Sequence, residues 1–135
     1  MNGSYAYSTD HFPPIPTLEL RLRRPDDGKL PEPLAGLIDT GADITLVPQT
    51  LLKQIGASEL DEVRLRSHWG EYTTVITYLV DLTLSIGTLP GIEVVGDTYG
   101  DKVLLGRNVL NKLILLIDGP RQTTDLLTRR PGPAG

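Results

Sequence analysis

Few side chains in this sequence are suited to chemistry, and most of those are carboxylates. There is no cysteine among the 135 residues, which excludes thiol nucleophiles, thiolate metal sites and disulfides. The two histidines, His11 and His68, stand apart without clustered acids, so they make no zinc site and read as loop surface. The carboxylate that stands out is Asp39, in the stretch LAGLIDTGADITLVP from Leu34 to Pro48. It follows the apolar pair Leu37-Ile38 and precedes Thr40-Gly41-Ala42, after which the chain turns apolar again at Ile44, Leu46 and Val47. The small residues let backbone pack closely and leave room beside the acid. What such a group can do is take and give protons. Taken alone, Asp-Thr-Gly is a turn between two strands.

The elements that must hold this turn are short and strand-like. Leu18, Leu20 and Leu22 alternate with Glu19, Arg21 and Arg23, the period of a half-buried strand. Pro25-Asp26-Asp27-Gly28 reads as a turn, and a return strand from Leu34 to Ile38 delivers Asp39. Pro48 to Gly56 predicts a helix of about two turns, with Pro48 at its first position, Leu51, Leu52 and Ile55 on one face and Gly56 as its stop. Leu60–Arg66 and Glu71–Ile86 form a candidate hairpin whose tip is Trp69-Gly70. Leu89–Val95 is a further strand, with Pro90 near an edge. The apolar Val103-Leu104-Leu105 ends at Gly106 and feeds a short helix, Arg107 to Leu113. Ile114–Ile117 is a last strand. The sum is an all-β, small closed barrel-like fold with one or two short helices. Residues 1–14 read as a flexible arm, 15–119 as the folded domain and 120–135 as a flexible tail.

Composition bounds the rest. The length suits one domain with a core built from Leu, Ile and Val, since only one Trp and one Phe are present. The formal charge is −4, and although basic residues cluster at Arg21, Arg23 and Arg24 and again at Arg129 and Arg130, both places are flanked by acids or prolines with no interleaved aromatics, which leaves no nucleic-acid footprint. No segment approaches the roughly 20 apolar residues that span a bilayer, and the first residues lack the pattern of a secretory signal. A soluble, cytoplasmic protein with no membrane partner is the expectation.

Two motifs together are more specific than either alone. Leu37-Ile38-Asp39-Thr40-Gly41-Ala42-Asp43 resembles the catalytic signature of the retroviral-type (retropepsin-like) aspartic proteases, and Val103-Leu104-Leu105-Gly106-Arg107-Asn108-Val109-Leu110 resembles their C-terminal strand and helix. They stand in the family's order, with a candidate flap hairpin between them, over roughly residues 15 to 119. The resemblance implies an acid-protease fold, a homodimer in which each subunit gives one Asp39 to a shared site, a polypeptide substrate, and neither cofactor nor metal. One Asp-Thr-Gly in a chain of 135 residues leaves symmetry to supply the second acid. Leu116-Ile117-Asp118-Gly119 echoes the first motif, but it lacks the Thr-Gly that sets the turn.

In such a pair one carboxylate draws a proton from water while its mate protonates the peptide carbonyl. Two carboxyl groups about 3 Å apart share one proton, as aspartic proteases are the standard case to show. By the same resemblance Thr40 bonds across the twofold axis, Gly41 and Ala42 keep the site open, and Asp43 pairs with Arg107 and touches substrate backbone. His68, Trp69 and Gly70 at the hairpin tip are flap candidates, and Ile38, Leu46, Val63, Val75, Val95 and Leu105 are candidate walls for apolar substrate side chains. The tip departs from the family's glycine-rich pattern, because Ser67-His68-Trp69-Gly70-Glu71 holds one glycine and a bulky aromatic. A catalytically silent peptide-binding or dimerisation module on the same fold is therefore the alternative reading, and a processing domain of a retroelement-like polyprotein a third.

Overall fold

The fold is known from a computed structural model, which describes residues 3–29, 31–66 and 69–132. Strand accounts for 54% of the chain and helix for 8%, as the alternating patterns predict. In chain order the elements are β1 (Gly3–Ala6), β2 (Thr17–Arg23), β3 (Leu34–Ile38), β4 (Thr45–Pro48), α1 (Gln49–Gln54), β5 (Ser58–Arg66), β6 (Tyr72–Leu84), β7 (Gly87–Asp97), β8 (Val103–Leu105), α2 (Arg107–Leu110), β9 (Ile114–Asp118) and β10 (Thr123–Leu127).

Strand order in the larger sheet is β2-β3-β8-β4-β7-β6-β5, and β2 also pairs with β6. That extra pairing closes six of the strands into a barrel, which removes the free edges an open sheet would present. Closure depends on β6, whose 13 residues reach β5 at one end and β2 at the other. A register shift between Val80 and Leu82 bends it on the way. Asp81 stands at that irregularity, nearly buried, and its Oδ1 accepts the Gly91 N–H at 2.9 Å.

The barrel interior is the apolar half of each alternating strand. Leu18, Leu20 and Leu22 of β2 are at most 1% exposed, and they pack with Val47, Val80, Leu82, Val94 and Leu105 in one cluster. α1 lays Leu52 onto this core. Pro48 is the residue before its first turn rather than the first helical position, and Gly56, at φ +73°, ends it as expected. The second helix is shorter than the Arg107–Leu113 pattern predicts, because the chain turns at Asn111-Lys112 before entering β9.

The two termini differ most from expectation. The segment read as a flexible arm carries β1, and the segment read as a tail carries β10; they pair antiparallel, with Gly3 opposite Leu126. β10 also pairs with β9, giving a second sheet in the order β1-β10-β9. The physical reason is burial. Thr124 and Leu126, two residues apart on one face of β10, are fully buried, and Leu126 belongs to the main core. Thr17 Oγ1 of β2 donates to the Ala6 carbonyl of β1 at 3.0 Å, which fastens the small sheet to the barrel. Among the described residues β9 has only β10 as a strand neighbour, and its Leu116 and Ile117 are each 47% exposed.

Candidate active site

Asp39 leaves the end of β3, and its position is set by strand pairing on both sides. β3 runs parallel to β8, with Ile38 opposite Leu105, and the Asp39 N–H continues that ladder to the Leu105 carbonyl at 3.0 Å. The chain then turns. Ala42 N–H donates to the Asp39 carbonyl at 3.2 Å, and Gly41 N–H donates to Asp39 Oδ1 at 3.0 Å. One carboxylate oxygen is thus held by its own turn. Asp39 is half-buried, and Thr40 and Gly41 are exposed beyond it.

A second tier of bonds fixes this turn to the Gly106–Asn108 segment. Arg107 N–H donates to the Ala42 carbonyl at 2.8 Å and Asn108 N–H to the Asp43 carbonyl at 3.3 Å. The Arg107 guanidinium donates through Nη1 to the Thr40 carbonyl at 2.8 Å and through Nη2 to Asp43 Oδ1. The predicted Asp43–Arg107 pair is therefore formed. Its side chains are 86% and 43% exposed, so solvent screens the charges and the pair serves geometry more than stability.

Beneath that pair lies a buried polar knot to which the sequence reading assigned no role. Thr45, fully buried, donates from its N–H and from its hydroxyl to Asn108 Oδ1 at 3.0 and 2.8 Å. The same hydroxyl accepts the Gly106 N–H at 3.0 Å, and Asn108 Nδ2 donates to the Glu93 carbonyl of β7 at 2.8 Å. Three segments that meet only in the fold are joined this way. Gly106 must be glycine here for lack of space, since a Cβ would lie 2.6 Å from the Ile44 carbonyl carbon. No local pattern in the sequence marks the knot: Thr45 stands between Ile44 and Leu46, but Asn108 stands between Arg107 and Val109, and only their burial in the fold obliges the two to find partners.

The hairpin β5–β6 projects from the barrel. Every β5 residue but Val63 is exposed, as are the first three of β6. Arg64 stacks over the Tyr72 ring at 4.3 Å, tying the strands together near the tip. With so little buried apolar surface, this arm belongs to the less stable parts of the molecule. At its tip Trp69 is 89% exposed and Gly70 takes φ +82°; the predicted flap residue His68 lies outside the described residues.

Between this hairpin and the barrel lies a cavity of about 430 Å³, within the range of ligand pockets. Leu46, Val75 and Val95, three of the expected wall residues, line it, together with Leu65, Asp97 and Tyr99. Leu46 sits on β4, the strand that leaves the Asp39 turn, directly opposite Val95 of β7. Leu105 does not belong to the wall. It is fully buried in the barrel core, because the short strand β8 is enclosed between β3 and β4. Val63 stays on the hairpin opposite Val75, and Ile38 packs against the core. Among the described residues no helix is long and apolar enough to cross a membrane.

Against solved structures, the chain is similar to a retropepsin-like aspartic protease from Rickettsia conorii, with a TM-score of 0.57 and 16% identity over 93% of this chain and 91% of that one. It is also similar to the EIAV protease in complex with the inhibitor HBY-793, with a TM-score of 0.55 and 16% identity over 80% of this chain and 93% of that one. No protein-family model and no curated protein sequence matches the chain. The closed barrel with its projecting hairpin thus has the retropepsin-like fold.

Proposed function

We propose that the protein is an aspartic endopeptidase that hydrolyses polypeptides as a homodimer, with one Asp39 from each subunit at the shared site. The observation that carries this reading is the Asp39 turn itself. A carboxylate stands at a strand end with one oxygen bonded to Gly41 N–H, and exposed Thr40-Gly41 leave its outer side open to a second copy. The likeness in fold to two aspartic proteases supports it. So does the Arg107 fork that holds the turn from below.

A single chain supplies one such carboxylate, and the chemistry needs two. In the proposed dimer one Asp39 takes a proton from the attacking water while the other, protonated, donates to the scissile carbonyl oxygen. Collapse of the tetrahedral intermediate then sends a proton to the leaving nitrogen. Neither metal nor covalent intermediate is required. The exposed edge of β9, with Leu116 and Ile117, is where we place the contact between copies: a strand edge left unpaired and flanked by apolar side chains is a ready template for a second strand. Because β10 already fills the other side of β9 within the chain, the two subunits would meet edge to edge without exchanging their termini.

Incubation of the full chain with a mixed peptide pool, read by mass spectrometry, tests the proposal. Cleavage by the wild type and its loss in Asp39→Asn, with the fold intact by circular dichroism, is the expected result. Equal cleavage by both proteins refutes the assignment. The alternative of a silent peptide-binding module is motivated by the hairpin tip, where Trp69-Gly70 departs from a glycine-rich flap; that reading requires peptide affinity without turnover, little changed by Asp39→Ala.

A further inference from the structure

The cavity between hairpin and barrel is apolar on its walls and acidic at one end, and that combination selects a particular kind of side chain. On β7, Val95 and Asp97 are two residues apart and share a face, so the carboxylate continues the wall that Val95 begins. Both line the cavity with Leu46 and Val75. Asp97 is half-buried, and its orientation is fixed from within the chain, because Oδ1 accepts the Tyr99 N–H at 2.9 Å. Among the described residues Oδ2 has neither a hydrogen-bond donor nor a cation within ion-pair distance. Among the described residues the one cation that lines the same cavity is Arg66, which is exposed and sits on the hairpin side, its Nη2 3.7 Å from where a Gly70 Cβ would stand.

From this we infer that the cavity is a side-chain pocket for a long basic residue, lysine or arginine, of the bound polypeptide, and that Asp97 is the residue that selects it. The methylene stem lies along Leu46, Val75 and Val95, where an apolar chain gains by leaving water. The cationic end reaches Asp97 Oδ2, which is oriented before the ligand arrives and so loses little freedom on binding. A purely aliphatic side chain would fill the walls and leave the carboxylate unanswered. An acidic one would meet it with like charge. As a statement about substrate, the inference rests on the endopeptidase reading. As a statement about the pocket, it does not.

The test uses two probes of equal length, n-hexylammonium and n-hexanol, titrated into the full chain and followed by amide chemical shifts. The ammonium is expected to bind at least about tenfold tighter, the discrimination one charge-assisted hydrogen bond supports, with the largest shifts at Leu46, Val75 and Val95. Asp97→Asn, which keeps the acceptor for Tyr99 N–H, should abolish that preference and leave hexanol binding unchanged. Equal binding of the two probes, no shifts at those residues, or a preference that survives Asp97→Asn overturns the inference. In parallel, peptides carrying lysine, norleucine or glutamate at each position in turn are incubated with the wild type and Asp97→Asn. Lysine is favoured at one position by the wild type only. If no peptide is cut while the ammonium preference holds, the endopeptidase reading falls and the pocket assignment stands.

Discussion

Replacing Thr45 with valine probes the physical link between the fold and the site. The swap keeps the shape and the β-branched backbone preference of a strand residue, and it removes one atom. That atom accepts the Gly106 N–H at 3.0 Å and donates to Asn108 Oδ1 at 2.8 Å. Asn108 Oδ1 keeps the Thr45 N–H at 3.0 Å, so its loss is one hydrogen bond, about 1 kcal/mol. Among the described residues Gly106 N–H has no second acceptor, and a buried donor left unsatisfied costs about 1–3 kcal/mol. Together the change is about 2–4 kcal/mol. With a urea m-value of about 2 kcal/mol/M, a 3 kcal/mol loss moves the unfolding midpoint down by about 1.5 M. The assay is urea unfolding at fixed protein concentration, with Thr45→Ser as the control. Serine keeps the hydroxyl and gives up one methyl group, at a cost of about 1 kcal/mol. If valine leaves the midpoint where it was, or serine costs as much as valine, the bonds counted here do not hold the Asp39 turn.

Other outcomes follow from the same structure. Arg107→Ala is expected to reduce peptide cleavage far more than stability, because its pair with Asp43 is solvent-screened and worth under about 1 kcal/mol; Arg107→Lys should fail to restore activity, since an ammonium cannot fork between the Thr40 carbonyl and Asp43. Leu126→Ala should lower unfolding stability by about 2–5 kcal/mol, the cost of a cavity in the core, whereas a loosely attached tail would show no change. Leu116→Lys is expected to leave the barrel folded and to weaken self-association in sedimentation velocity, with cleavage falling in step.

How much of this was readable from the chain depended on whether the deciding contact was local. The alternation of Leu18, Leu20 and Leu22 is a local signal, and it placed β2 correctly. The Asp39 turn and the strand feeding α2 were legible for the same reason, since small residues and apolar runs mark them within a few positions. The Asp43–Arg107 contact spans 64 positions and came from the paired motifs rather than from any periodicity. β10 was missed because Thr123–Leu127 is partly polar and sits between arginine- and glycine-containing stretches, and because one of its two neighbours, β1, reaches it only when Gly3 meets Leu126 across the length of the chain. Leu105 was misplaced for the opposite reason. Its apolar neighbours fit a cleft wall as well as a core strand, and only enclosure by β3 and β4 decides between them. The Thr45–Asn108 knot, 63 positions apart, had no local signature at all.

The central claim is that two copies of one acid act together. Wild-type protein and Asp39→Asn are mixed in varying proportion at constant total concentration, allowed to re-equilibrate, and assayed on one cleaved peptide. If each site takes one Asp39 from each subunit, only pairs of wild-type chains are active. Cleavage then falls as the square of the wild-type fraction, to about one quarter at equal parts. A fall in direct proportion, to about one half, would mean that each chain works alone, and the shared-carboxylate account would be wrong.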